Sequence, residues 1–150
     1  MEEHKQVYIA APFFNDEQKH ILKTIETMLE VAEVGYYSPM RECMFVPGET
    51  KAEDILRDNV DAILKADYLI AVTNGKDMGT LFECGWAFAN DIPIIYVWLN
   101  PPPEGKFNLM LSASAISVCT TYSEIDNAIH LIALKADVGD HMPKYEGQLE

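Results

Sequence analysis

Residues 66–98 read ADYLIAVTNGKDMGTLFECGWAFANDIPIIYVW. The run over 67–72 is short and apolar, which predicts a buried strand, and Asn74-Gly75 after it predicts a turn. A helix of small and apolar residues follows over about 80–90, and a second apolar run over 92–98 predicts another strand. Strand, helix and strand in this order are typical of a parallel βαβ unit.

The same alternation continues on both sides of this unit. Further strands are predicted at 7–11, 36–37 and 116–119, and further helices at 16–32, 52–66 and 123–134. We therefore predict one α/β domain over residues 1–150, a flavodoxin-like three-layer sandwich with a five-stranded parallel sheet in the order 2-1-3-4-5.

Ligands of such sheets bind beyond the carboxyl ends of the strands. Three segments of this chain meet at that edge: 11–15, 73–80 and 98–110. A fourth connection, over 38–50, holds two prolines, a glycine and mixed charges, and its length favours a functional role.

Composition narrows the classes of partner. The formal net charge is -13, so the surface repels phosphate backbones and we expect no nucleic acid partner. Three cysteines without a Cys/His cluster disfavour a disulfide scaffold or a zinc site. The charged opening MEEHKQ and the short apolar runs lead us to expect a cytoplasmic protein without a signal peptide or membrane span. Leu149-Glu150 is either native or a cloning scar.

Glu83 is the one acid inside the apolar helix of the opening stretch, and two interpretations stand. Thr80-x-x-Glu83 fits a capping box, with Thr80 as N-cap and Glu83 reaching back to its N–H. Alternatively, the residues around Glu83 are apolar or small almost all round, so the helix is buried and the acid lies at the edge of a dry core. A partly desolvated carboxylate at the ligand edge is a good nucleophile toward an electrophilic sugar carbon.

Several stretches together resemble the nucleoside 2-deoxyribosyltransferase family. They are YIAAPFFNDEQ (8–18), YSP (37–39), the whole of 66–98 and FNLM (107–110), with D-x-G-T-x-x-E-x-G-x-A over 77–87 and a weaker YEG at 145–147. The resemblance implies base exchange on 2′-deoxynucleosides, in which a glutamate attacks the anomeric carbon and a second base then displaces it, with retention. By the motif, Glu83 is that nucleophile, and no metal or organic cofactor is implied.

The resemblance also implies roles for residues around Glu83. Tyr8 would hydrogen-bond Glu83 and orient it, although a core tyrosine is the alternative. Asp77 would bind sugar hydroxyls, or else serve only as a turn residue. Phe13 and Phe14 would form a floor or wall against which the base stacks, whereas a bare pair of phenylalanines more often belongs to a core.

Asn108 and Met110 would reach the site of a neighbouring subunit, because family members build each site across an interface. The alternatives are an ordinary loop and a core methionine. We accordingly expect a homo-oligomer, from a dimer up to a hexamer, with shared sites.

Base preference is the least defined part of the prediction. Many family members have an aspartate where this chain has Asn59, next to Asp58. An amide can hydrogen-bond a base but cannot act as a general acid. Arg41, beside Glu42 in the 38–50 loop, is a further candidate for substrate contact, and a solvated charge pair is the alternative.

Two other functions compete with base exchange. One is hydrolysis of (deoxy)nucleosides or nucleoside monophosphates by an N-glycosidase of the same fold. Monophosphate hydrolases of this fold use a serine, arginine and glycine cradle after the first strand, whereas residues 10–14 here read AAPFF. The other is a non-catalytic nucleotide-binding module, which would have no need of a desolvated nucleophile.

Overall fold

The computed structural model describes residues 3–135 and 141–150. The first two residues of the MEEHKQ opening and residues 136–140 lie outside this range. Five strands alternate with six helices in the described residues. The elements are β1 (Val7–Ala10), α1 (Asp16–Val31), β2 (Tyr36–Tyr37), α2 (Pro39–Glu42), α3 (Ala52–Lys65), β3 (Tyr68–Val72), α4 (Met78–Ala89), β4 (Ile94–Val97), α5 (Leu109–Ser114), β5 (Ser117–Cys119) and α6 (Tyr122–Ala133).

All five strands are parallel, in the order β2-β1-β3-β4-β5, which confirms the predicted topology. After β2 the chain crosses to the other side of β1, so that β1 and β3 are neighbours in the sheet. The connections that lead from these two strands into α1 and α4 therefore lie next to each other at the carboxyl edge of the sheet. Tyr8 of β1 pairs in register with Tyr37 of β2 and with Leu69 of β3.

Strand side chains alternate between two hydrophobic cores, because successive residues of a strand point to opposite faces. Val7 and Ile9 of β1 belong to the core that α1 and α6 cover. Tyr8 and Ala10 belong to the core on the other face, which α3 and α4 cover and which includes Cys84. The pleat of β1 alone therefore directs the side chain of Tyr8 toward α4.

Helix α1 begins where the sequence predicts. Asn15 is its N-cap and its side chain accepts from the backbone N–H of Gln18. Two short helices were not predicted. Pro39 opens α2 inside the supposed 38–50 loop, and Asn108 caps the six-residue α5. Both are too short to show an apolar period, so only their cap residues could have indicated them.

The C-terminal segment 141–150 packs along β5 and returns to the loop before α5. Phe107 and Leu149 form an isolated parallel bridge, and the Leu109 N–H donates to the carbonyl oxygen of Glu150 at 2.8 Å. Tyr145 packs its ring against Trp98 and Phe107. The loop that carries Asn108 is therefore held from both sides.

Candidate active site

Glu83 lies in the second turn of α4, and Tyr8 Oη donates a hydrogen bond to its Oε2. Thr80, Cys84 and Ala87 form the buried row of this helix. Glu83 stands beside that row, so its side chain reaches across the sheet edge to β1 and is only partly exposed. Tyr8 is fully buried. The hydrogen bond that the family resemblance implies is thus present.

The capping-box interpretation of Glu83 is wrong. Helix α4 begins at Met78, and Asp77 is its N-cap, with Oδ2 accepting from the Thr80 backbone N–H at 2.8 Å and from Thr80 Oγ1 at 3.0 Å. An aspartate at this position satisfies the helix start two residues before the predicted one. The capping task falls to Asp77, and the Glu83 carboxylate is bound by Tyr8 instead.

The expectation that α4 is buried all round is also wrong. Its outer face exposes large apolar side chains, namely Met78, Leu81, Phe82 and Phe88. Only the row facing the sheet is enclosed. Glu83 therefore lies at the border between the enclosed row and the open apolar face, neither walled off nor turned away into solvent.

The surroundings of Glu83 raise its pKa from the ordinary 4.5 to about 7. Burial is the largest cause, because it penalises the charged form. The hydrogen bond from Tyr8 acts in the opposite direction, and the negative charge of Asp77 adds a smaller increase. Burial and the Glu83 charge also raise the pKa of Tyr8 strongly, so Tyr8 remains a protonated donor.

A second tyrosine extends this pair toward the edge of the sheet. The ring of Tyr37 stacks on that of Tyr8, with centroids 5.4 Å apart and an interplanar angle of 12°. Tyr37 Oη donates to Asn59 Oδ1 at 3.5 Å, and Cys43 Sγ lies 3.7 Å from Asp58 Oδ2. Tyr8 and Tyr37 stack because they are paired in register on neighbouring strands. The sequence could have predicted this stack only if the register of the two strands had been known.

Phe13 and Phe14 form a stacked pair after β1, with centroids 5.7 Å apart. Phe13 packs partly against the core, whereas Phe14 is 75% exposed. The pair is held by Gln18, whose Oε1 accepts from the Phe14 backbone N–H at 2.8 Å. One ring of the pair is therefore open at the sheet edge.

Asn108 and Met110 lie at the start of α5. Asn108 Oδ1 accepts from the backbone N–H groups of Met110 and Leu111. The Met110 side chain is 71% exposed, so the core-methionine alternative is wrong. Asn108 uses only its oxygen as the cap, and its amide nitrogen takes no part in it.

Arg41 is bound to α1, which covers the opposite face of the sheet from α4. Its Nε lies 2.5 Å from Glu26 Oε2, and the Glu26 side chain is only 1% exposed. The alternative of a solvated charge pair with Glu42 is thus wrong, because Arg41 forms a half-buried ion pair with Glu26. Substrate contact by Arg41 stays a prediction, and it would require this ion pair to open.

Asn74 anchors the loop before α4 to the chain after β4. The sequence predicted only that Asn74 lies in a turn. Its side-chain amide accepts from the Leu99 backbone N–H at 2.7 Å and donates to the Leu99 carbonyl oxygen at 2.9 Å. Gly75 follows with a φ of +89°, a left-handed conformation that glycine adopts without strain. This clamp fixes the loop that delivers Asp77 to the end of the sheet.

Two grooves run along the β2 edge. The larger, of about 850 Å³, is lined by Tyr37 and Asp58 together with residues of the amino-terminal segment and α3. The smaller, of about 530 Å³, is lined by Tyr36, Arg41 and residues near the end of α1. Glu83 lines neither of these two grooves.

Fold and site together define a class: flavodoxin-like α/β proteins with a poised carboxylate at the carboxyl edge of the sheet. The family model for nucleoside 2-deoxyribosyltransferases matches residues 7–127. The chain therefore belongs to the nucleoside 2-deoxyribosyltransferase family. No curated protein sequence matches it.

Solved structures share the fold. A 2-deoxyribosyltransferase from Bacillus psychrosaccharolyticus is 24% identical, with a TM-score of 0.68 over 81% of this chain and 90% of that chain. The corresponding Leishmania mexicana enzyme is 25% identical, with a TM-score of 0.53 over 67% and 68%. A CMP N-glycosidase from Clostridium botulinum is 19% identical, with a TM-score of 0.58 over 87% and 99%.

Among the described residues, no helix has the length and apolar character that a bilayer crossing demands.

Proposed function

We propose that this protein exchanges the base of 2′-deoxynucleosides through a covalent deoxyribosyl intermediate on Glu83, with retention at C1′. The observation that carries the proposal is the carboxylate of Glu83 itself. It is held by the buried Tyr8, has a pKa of about 7 and lies at the edge of the sheet where ligands of this fold bind. Membership of the family supports the same reaction.

In the first step, an oxygen of Glu83 attacks C1′ as the bond from C1′ to the base nitrogen breaks. The base leaves with the bonding electron pair and takes a proton from solvent. Positive charge develops on the sugar ring, and an adjacent carboxylate stabilises it. Because Glu83 attacks as an anion, its pKa of about 7 leaves roughly half of the groups ready at neutral pH.

In the second step, a ring nitrogen of another base attacks C1′ and the ester bond to Glu83 breaks. The carboxylate is regenerated, and the proton of the incoming base passes to solvent. Two inversions at one carbon restore the original configuration. Tyr8 donates to the Glu83 carboxylate before the first step and again after the second, which keeps the reacting oxygen oriented toward C1′.

Around this centre, we assign the sugar hydroxyls to Asp77, whose cap uses Oδ2 alone. The open ring of Phe14, backed by Phe13, offers a surface for stacking a base. Asn59, whose Oδ1 accepts a hydrogen bond from the Tyr37 hydroxyl, is assigned to the base edge. An amide there can bind the departing base without protonating it.

The charges at the sheet edge favour nucleosides over nucleoside monophosphates. The first turn of α1 carries Asp16 and Glu17 behind the Asn15 cap, and α4 starts at Asp77. Helix starts are the usual binding places for phosphate, and carboxylates at both repel it. This feature separates the proposed activity from hydrolysis of nucleoside monophosphates.

A second copy of the chain would complete the site. Large apolar side chains are exposed after β1, on α4 beside Glu83 and at the start of α5, among them Phe14, Phe82 and Met110. Exposed apolar surface of this kind marks an interaction site. We propose that Asn108 and Met110 of one subunit close the site of another, and light scattering on the purified protein measures the expected oligomer.

The test is incubation with a 2′-deoxynucleoside and a different free base, followed by chromatography. A new deoxynucleoside is expected, and it should be absent with Glu83→Gln and present with the matched control Glu30→Gln. Release of free base alone would assign hydrolysis instead. No change in either compound, with the protein folded, would leave a binding module.

A further inference from the structure

Tyr37 separates the active-site pair from a groove on the outside of the molecule. It belongs to β2, the edge strand of the sheet, and pairs in register with Tyr8. Its ring covers the Tyr8 ring in a nearly parallel stack. It also lines the groove of about 850 Å³, which Tyr8 does not line. Tyr8 is fully buried, whereas Tyr37 borders both the groove and the Tyr8 ring.

The hydroxyl of Tyr37 is held from α3 and from the segment after α2. It donates to Asn59 Oδ1 at 3.5 Å, a long hydrogen bond. Burial, followed by the neighbouring Cys43 and Asp58, raises the pKa of Tyr37, so the hydroxyl keeps its proton. The ring thus faces the catalytic pair while the hydroxyl faces the residue assigned to the base.

We propose that Tyr37 is a positioning residue for the Tyr8–Glu83 pair: its ring excludes groove water from Tyr8, and its hydroxyl links that ring to the base contact Asn59. The proposal rests on the proposed role of Glu83. It predicts that the ring and the hydroxyl act on different steps. Loss of the ring should change the acidity of the nucleophile Glu83, whereas loss of the hydroxyl alone should change binding of the deoxynucleoside.

The groups that face Glu83 define what should happen when the ring is removed. Tyr8 faces it from β1 and Asp77 from the start of α4, and Cys84 is its neighbour on α4. From α3 and the segment after α2, Asp58 and Cys43 act on Tyr37 and not directly on Glu83. Burial is the largest influence on the carboxylate, so admitted water should make Glu83 more acidic.

The decisive experiment follows the titration of Glu83 by carbon NMR, with Glu83→Gln used to assign the signal. Tyr37→Ala is expected to lower the titration midpoint by about one pH unit. Tyr37→Phe keeps the ring and should leave the midpoint unchanged. Tyr36→Ala is the matched control, because it removes the neighbouring tyrosine of β2 from the opposite face, and it should also leave the midpoint unchanged.

An unchanged midpoint in Tyr37→Ala would overturn the proposal, as would an equal shift in Tyr36→Ala. If Tyr37→Ala does not fold, Tyr37→Leu decides the matter, with a smaller shift in the same direction expected and no shift contradicting it. The titration needs no turnover, so it judges Tyr37 even if base exchange is not found. A missing exchange activity would count against the proposed function alone.

The hydroxyl has its own readout in steady-state kinetics. Tyr37→Phe should raise the KM for the deoxynucleoside several-fold with kcat unchanged, because it removes only the link to Asn59. Tyr37→Ala should lower kcat as well. A lowered kcat in Tyr37→Phe at unchanged KM would contradict the assignment of the hydroxyl to the base side.

Discussion

Two tyrosine–glutamate pairs lie on opposite faces of the same sheet. Tyr36 donates to Glu30 at 2.6 Å, and this carboxylate is exposed. Tyr8 donates to Glu83 in the core beneath α4, and here the tyrosine is fully buried. Both pairs make the same hydrogen bond, so the bond alone does not set the proposed nucleophile Glu83 apart. Burial distinguishes them, because it raises the pKa of Glu83 to about 7.

The largest difference between the pairs should appear when each carboxylate is neutralised. Glu83→Gln is expected to reduce base exchange about a thousandfold or more, since the amide cannot form the glycosyl ester. Glu30→Gln should remain within about twofold of the wild-type rate, as expected for an exposed surface change. Initial rates by chromatography measure both. Similar losses in the two variants would remove the functional distinction between the pairs.

Removal of the two hydroxyls should give the next largest contrast. Tyr8→Phe is expected to lower kcat about 10- to 100-fold, the equivalent of a hydrogen bond to a charged group. Tyr36→Phe should leave kcat unchanged, because its partner is on the other face of the sheet. If Tyr8→Phe retains full kcat, the hydrogen bond does not orient the nucleophile.

Stability should respond to pH at Glu83. Its folded pKa of about 7 exceeds the ordinary 4.5, so the folded state binds the proton more tightly than the unfolded chain does. The contribution of this group to stability is therefore complete below pH 4.5 and is lost as pH rises through 7. Glu83→Gln removes this loss and should be more stable than wild type at pH 8, by at most about 3 kcal/mol.

Urea unfolding at pH 8 and pH 5 measures this effect, with Glu30→Gln as the control that should stay within about 0.5 kcal/mol of wild type. A Glu83→Gln variant that is less stable than wild type at pH 8 would show that the carboxylate stabilises the fold, and the two pairs would then be equivalent.

The smallest change in pH dependence should come from the charge of Asp77, which is the least of the causes that shift the pKa of Glu83. In wild type, kcat/KM should rise with pH and level off above about 7, because the anion attacks. Asp77→Asn keeps a residue suited to the N-cap while removing the charge, so the rise of kcat/KM with pH should move to slightly lower pH. An upward shift would contradict the assigned sign.

The sequence predicted those parts of the fold that follow from local pattern. The strands at the centre of the sheet are continuous apolar runs, and α1 shows both a helical period and a cap at Asn15. The parallel order followed from the alternation of strands and helices. Short elements such as α2 and α5 contain less than two turns, so their apolar residues have no period to detect.

The candidate site was predicted where a motif carries it and not where tertiary contacts do. Glu83, Tyr8 and Asp77 came from the family motif, but the start of α4 was misplaced because Thr80 and Asp77 are both good caps. The contact between Arg41 and Glu26 joins two elements on the far face. No local signal announces such a contact.

The exposed face of α4 was missed for a different reason. Phe82 and Phe88 have the hydrophobicity of core residues, and composition cannot tell a core from a surface that another subunit would cover. Tyr37 was likewise seen only as a strand residue. Its stack on Tyr8 depends on the register of two strands that are far apart in sequence.

The proposed covalent intermediate on Glu83 is open to direct observation. The protein would be mixed with a 2′-deoxynucleoside in the absence of an acceptor base, quenched in acid, and analysed by intact mass and peptide mapping. The account predicts a mass increase of one deoxyribosyl group on the peptide that contains Glu83, and none in Glu83→Gln. Efficient base exchange with no such adduct, or with the adduct on another residue, would contradict it.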